Sequence, residues 1–151
     1  VKGNINMNIQ LAVKEIYDKA EKIKYDEYKD NDSRFLINDR VVESDDFEDW
    51  LYEQIVDGED YPKWVWGVKK ELAFNIDIQD IVYNACEDGY EDMSENLNFD
   101  TLKPIQEQID KWIEQQGDSI YNYYEDYSIV VELDELIETI LNDIKNENNK
   151  K

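Results

Sequence analysis

Residues 119–133, SIYNYYEDYSIVVEL, decide the class of fold. Tyr127, Ile129, Val131 and Leu133 fall on every second position, the period of a half-buried strand. Aromatic and β-branched residues dominate the stretch and suit a pleated surface. The pattern predicts a hairpin, with Tyr121, Tyr123, Tyr124 and Tyr127 as its aromatic content. Downstream, Asp134 is expected to cap a last helix through Leu136, Ile137, Ile140, Leu141 and Ile144, and residues 146–151 (NENNKK) to fray.

Upstream, the spacing of Ile9, Val13, Ile16, Ala20 and Ile23, with Tyr17 alongside, predicts a helix over 9–28 inside an N-terminal helical region 1–30. Met7 stands just before it as an alternative start. RFLINDRVV (34–42) reads as a hairpin turning at Asn38-Asp39. Ser44-Asp45-Asp46 is a capping cluster for a helix with Phe47, Trp50, Leu51 and Ile55 inward, closed by Gly58. Lys63–Phe74 reads as extended but broken at Gly67. Trp64 and Trp66 within it are expected on a sheet face or in the core.

A third helix, capped by Asn75 or Asp77, is expected to carry Ile78, Ile81, Val82, Ala85 and Met93 on one stripe. A fourth begins at Asp100 or Lys103 with Pro104 in its first turn. Its core face is Ile105, Ile109, Trp112 and Ile113, and Gly117 stops it. The whole is expected to be a single α+β domain over 1–151. Two hairpins and one strand would form a small, mainly antiparallel sheet covered by about five helices.

Charge is the second informative property. The 151 residues hold 38 acids and 16 bases, a net −22. Residues 1–40 balance at eight of each, residues 41–143 carry 29 acids against five bases, and the last eight carry +2. Nucleic acid and anionic membranes repel such a surface, so a basic protein is its complement. Spread evenly over roughly 8,000 Å², the charge would amount to about one per 370 Å². Duplex DNA has about one per 110 Å². Imitating DNA therefore requires the acids to gather.

They gather most between Glu87 and Glu95. Read as helix, that segment sets Glu87–Glu91, Asp88–Asp92 and Glu91–Glu95 as like-charge pairs at i,i+4, each costing about 0.2–0.5 kcal/mol. No Lys or Arg lies between Lys70 and Lys103 to relieve them. Glu87, Asp88, Glu91, Asp92 and Glu95 are the leading candidates for a binding face. Asp45, Asp46, Asp49 and Glu53 are a second group, although the positive end of a helix dipole favours the first three. Tyr123 and Tyr124 are a third, as rigid amphipathic contact area.

Several chemistries fit poorly. There is no His, and the single Cys86 beside Glu87 and Asp88 has neither a base nor a second thiol, so no disulfide or thiolate zinc site is expected. A calcium loop centred on Gly89 would need Cys86 as a ligand. P-loop, GxGxxG, GxSxG and HExxH motifs are missing, and 38 acids make any carboxylate pair uninformative. No enzyme, cofactor or resident metal is expected. No run of 18 apolar residues occurs and the first ten residues lack a signal-peptide core, so a cytoplasmic protein is expected.

WVWG (64–67), KKELAFNIDIQDI (69–81), NACEDGYEDM (84–93), IDKWIEQQ (109–116) and YYEDYSIVVEL (123–133) together resemble small acidic proteins encoded by phages and prophages of Gram-positive bacteria. The likeness covers about residues 34–133 and assigns no functional residue. In size and charge the chain also resembles the DNA-mimic inhibitors of restriction and CRISPR nucleases. The resemblance implies a stoichiometric inhibitor, an anti-CRISPR directed at a type II effector, whose acidic face occupies the DNA-binding channel. The alternative is an interaction module that binds a host protein through the Tyr-rich hairpin, with charge serving solubility. A homodimer paired through Tyr-rich strands at a sheet edge is a further expectation.

Overall fold

The computed structural model describes residues 2–30 and 33–150, with side chains from residue 10 onward. The fold is α+β. In chain order it runs α1 (Lys2–Lys19), β1 (Glu21–Lys24), α2 (Tyr25–Lys29), β2 (Phe35–Ile37), β3 (Arg40–Val42), α3 (Ser44–Val56), β4 (Trp64–Leu72), α4 (Ile78–Ala85), α5 (Met93–Asn96), α6 (Lys103–Gln115), β5 (Tyr121–Glu132) and α7 (Asp134–Asn149). Short 3-10 turns occupy Cys86–Asp88, Phe99–Leu102 and Gly117–Ile120. Contacts group the chain into two compact units, residues 1–69 with 123–151, and residues 70–122, where the sequence reads as one domain.

The larger unit holds the main core. Phe35, Phe47, Leu51, Val131 and Leu133 are sealed from solvent, with Tyr25, Tyr28 and Ile140 nearly so. Phe35 and Phe47 stack at 4.2 Å between centroids, and Tyr25 stacks on both. Phe47 and Leu51 are one turn apart on α3, so one face of that helix meets the hairpin and α7. The hairpin forms as expected: β2 and β3 pair antiparallel, Phe35 opposite Val42, through Asn38 and Asp39, both with positive φ. Asn and Asp tolerate that conformation, which matches the twist of the flanking strands.

The second expected hairpin does not form. Residues 121–132 make one continuous strand at the centre of a three-stranded sheet, order β1-β5-β4. Val130 and Val131 are both sealed, so this end of the strand is covered on its two faces. β1 pairs with it in parallel, Glu21 opposite Ile129 and Lys24 opposite Glu132, so the sheet is mixed. β1 pairs with residues 129–132 of β5 and does not run alongside Tyr121–Tyr127. β4 is likewise unbroken at Gly67. The glycine is needed because Ile129 stands where its Cβ would be.

The helix expected over 9–28 ends at Lys19. Ile23 belongs to β1, and residues 25–29 restart as α2. The strand forms there because its partner at residues 129–132 has an open side, a contact 108 positions away that local periodicity does not reveal. Val13 and Ile16 of the expected stripe are exposed, and the side chain of Ile9, together with Met7 and Lys151, lies outside what is described. At the other end α7 stays helical to Asn149, so residues 146–149 do not fray. Glu43, not Ser44, occupies the cap of α3, and no side chain caps it.

Candidate functional site

The smaller unit carries thirteen acids and three bases in 53 residues, a net −10. Two of its bases are engaged. Lys70 Nζ lies 3.6 Å from Asp118 and over the ring of Tyr121, and Lys103 Nζ lies 3.6 Å from Asp100. Between Glu71 and Leu102 there are nine acids and no base.

Asp77 caps α4, its Oδ1 accepting from the backbone N–H of Gln79 at 3.0 Å and Asp80 at 3.2 Å. The helix then stops at Ala85, eight residues short of the expected Met93. Continuing it would align three carboxylate pairs at its negative end. Instead the chain makes a 3-10 turn, bends through Gly89 and Tyr90, and restarts at Met93 after Asp92, whose φ is +61°. Met93 folds back over Gly89, where a Cβ would collide with its Sδ. The expected i,i+4 pairs are therefore not built.

What forms is a set of five exposed carboxylates on a tight turn. Glu87, Asp88, Glu91, Asp92 and Glu95 are all solvent-exposed, and none has an ion-pair partner among the described residues. Glu87, Glu91 and Asp92 share a shallow groove of about 270 Å³ with Tyr83, Tyr90 and Met93. Among the described residues no three His, Cys, Asp or Glu side chains converge as a metal site would require.

The second expected group lies in the larger unit. Asp45, Asp49 and Glu53 form an exposed row along α3, with Asp46 beside it. Of the bases near α3, Lys29 bonds Glu48 at 2.9 Å, Arg34 lies 3.6 Å from Glu43, and Arg40 lines a shallow groove with Asp46. Burial pushes the Glu48 carboxyl up, but hydrogen bonds from Tyr25 Oη at 2.6 Å and from Lys29 outweigh it and hold the group below its ordinary value. Glu48 is thus structural, while the four acids on the outer face have no ion-pair partner among the described residues. The two acidic groups belong to different units.

Tyr123 and Tyr124 lie at successive positions of β5, Tyr123 half-buried and Tyr124 exposed. A row of rings runs Tyr17–Trp64–Trp66–Tyr127, with centroids 4.8, 4.8 and 5.2 Å apart. Trp64 and Trp66 are half-buried sheet-face residues, as the sequence implied.

Over the whole chain, 22 net charges on 11,607 Å² amount to one per roughly 530 Å², far below the density of duplex DNA. Any likeness to DNA is therefore local. No described helix is long and apolar enough to cross a membrane. The expected core faces of α4 and α6 are only partly covered: Ile81, Ile105 and Trp112 are exposed. Helical spacing could not distinguish a buried uncharged face from a bare one. No protein-family model, curated protein or solved structure matches the chain.

Proposed function

We propose that the protein is a stoichiometric inhibitor that occupies the basic DNA-binding surface of a host defence nuclease, a type II CRISPR effector, and excludes DNA from it. One observation carries the reading: the base-free run from Glu71 to Leu102, with Glu87, Asp88, Glu91, Asp92 and Glu95 exposed and unpaired. A folded protein that used these acids only for solubility would gain by interspersing cations, as its first forty residues do. Spaced, non-convergent carboxylates suit lysine and arginine side chains better than a chelated ion. Attraction of this kind is long-ranged at low salt and fades as salt rises.

The test is DNA binding and cleavage by a purified guide-loaded effector, with the protein added across a salt series. Inhibition that weakens with salt, and falls at least tenfold in Asp88→Lys/Glu91→Lys/Asp92→Lys, supports the proposal. Normal inhibition by that variant removes it. The aromatic row favours a second reading, a module that binds a host protein through β5 while its charge serves solubility. Alanine at Tyr123 and Tyr124 would then matter more than acid reversal, and binding would vary little with salt.

A further inference from the structure

Helix α6 turns three different faces outward from its axis. At 100° per residue, Gln106 and Ile113 lie on one side. Gln106 fixes that side toward the start of α4: its Nε2 donates to Ile76 O at 2.9 Å, and its Oε1 accepts from Ile78 N–H at 2.8 Å. All five charged residues, Lys103, Glu107, Asp110, Lys111 and Glu114, fall next to it within an arc of about 100°. The remaining arc holds Pro104, Ile105, Gln108, Ile109, Trp112 and Gln115 and no charge.

That uncharged arc is not buried. Ile105 is 48% and Trp112 49% exposed, Gln108 and Gln115 beside them are exposed, and Ile109 on the other flank is half-buried. In a chain of which 36% is charged, water-facing helix normally carries charge, as the neighbouring arc does. Nor does the smaller unit use these side chains as core: none of its helices buries a residue, and Ile120 alone is fully inside among its hydrophobics. An exposed strip of Ile, Gln and Trp, free of charge, has the composition of an interface centre. Trp is the residue most enriched among those that dominate binding energy.

We propose that this arc of α6 is the anchoring contact for the nuclease, resting on the inhibitor reading above: the partner's basic surface offers an apolar patch among its Lys and Arg residues, and Trp112 seats in it. Charge complementarity selects that occupant. A second copy would bring another unit of −10 against the first, and nucleic acid would be repelled likewise. The acids then steer encounter and Trp112 sets residence time, so the two features separate in the rates.

The test measures association and dissociation of the full chain with a purified guide-loaded type II effector. Trp112→Ala should raise the dissociation rate about tenfold or more, with association within about threefold. Gln108→Glu/Gln115→Glu removes no apolar packing and makes the chain more acidic. The proposal expects it to weaken binding, because it puts charge on the flank of the contact beside Trp112, whereas a purely electrostatic decoy would bind tighter. Equal or tighter binding by the Glu variant, with acid reversal at 88, 91 and 92 still destructive, overturns the α6 contact and leaves the inhibitor reading standing. Weakening by both α6 variants with acid reversal silent overturns the inhibitor reading and the basic partner with it. No binding by the wild-type chain overturns both.

Discussion

Gly67 lies against Ile129 so closely that a Cβ on the glycine would stand 2.9 Å from the Cβ of the isoleucine and 3.0 Å from its Cγ2. Gly67 is buried on β4 and Ile129 is on the central strand, so neither backbone can easily give way. Gly67→Ala should therefore destabilise the larger unit by about 1–3 kcal/mol, the usual cost of overpacking. Urea titration followed by tryptophan fluorescence measures it. An unchanged midpoint would mean that Ile129 moves aside.

Tyr28 bridges two elements with one hydroxyl. It donates to Arg34 O at 2.8 Å and accepts from Val68 N–H at 2.8 Å, satisfying a backbone donor of β4. Tyr28→Phe keeps the ring and strands both groups, at a cost of about 1–3 kcal/mol. Denaturant melts should register the loss, and hydrogen exchange at Val68 should quicken.

The Glu48 site sets the acid limb of the stability profile. Its carboxyl lies below its ordinary value in the folded chain, so its contribution is present above about pH 4.5 and lost as pH falls through the depressed value. Tyr25 works from the other side. Burial, then its bond to Glu48, holds the phenol above its ordinary value of 10.0, so stability falls as pH rises past 10 and the unfolded chain ionises first. Glu48→Gln should cost about 1 kcal/mol at neutral pH, with solvent screening allowed for, and should flatten the acid limb. Thermal melts from pH 3 to 7 test both statements.

Self-repulsion gives the opposite sign from most salt effects. With thirteen acids and three bases in the smaller unit, added NaCl should raise its melting temperature rather than lower it. A gain on the order of 1 kcal/mol corresponds to about 4–8 °C for a unit of this size. Calorimetry at 20 and 500 mM NaCl decides it.

Asp77 is the only residue of the α4 cap that holds two backbone donors through its side chain. Asp77→Ala should cost about 1 kcal/mol, and Asp77→Asn considerably less. Circular dichroism melts distinguish the two variants.

Local signals were legible where local physics decides. Asn38-Asp39 announced its turn, Asp77 its cap, Pro104 and Gly117 the ends of α6, and Phe47 and Leu51 their shared face. What failed was decided at a distance. Ile23 has the spacing of a helix residue but is taken into β1 by Val131, which it faces across the sheet. The Tyr-rich stretch looked like one arm of a hairpin, but it runs on without a turn into the segment that β1 pairs at 129–132. The acids at 87–95 were found as candidates, yet their helix was not there, since the repulsion that marked them out also argues against it. The uncharged arc of α6 was visible as a pattern but indistinguishable from core until Trp112 was seen uncovered.

The parallel pairing of Glu21–Lys24 with Ile129–Glu132 has a consequence for synthesis. The ribosome must deliver the 108 positions that separate Glu21 from Ile129 before the first strand has anything to pair with. Until then the nascent chain displays an unfinished sheet, and the negative charge that follows Val41 opposes association of such intermediates before the central strand arrives.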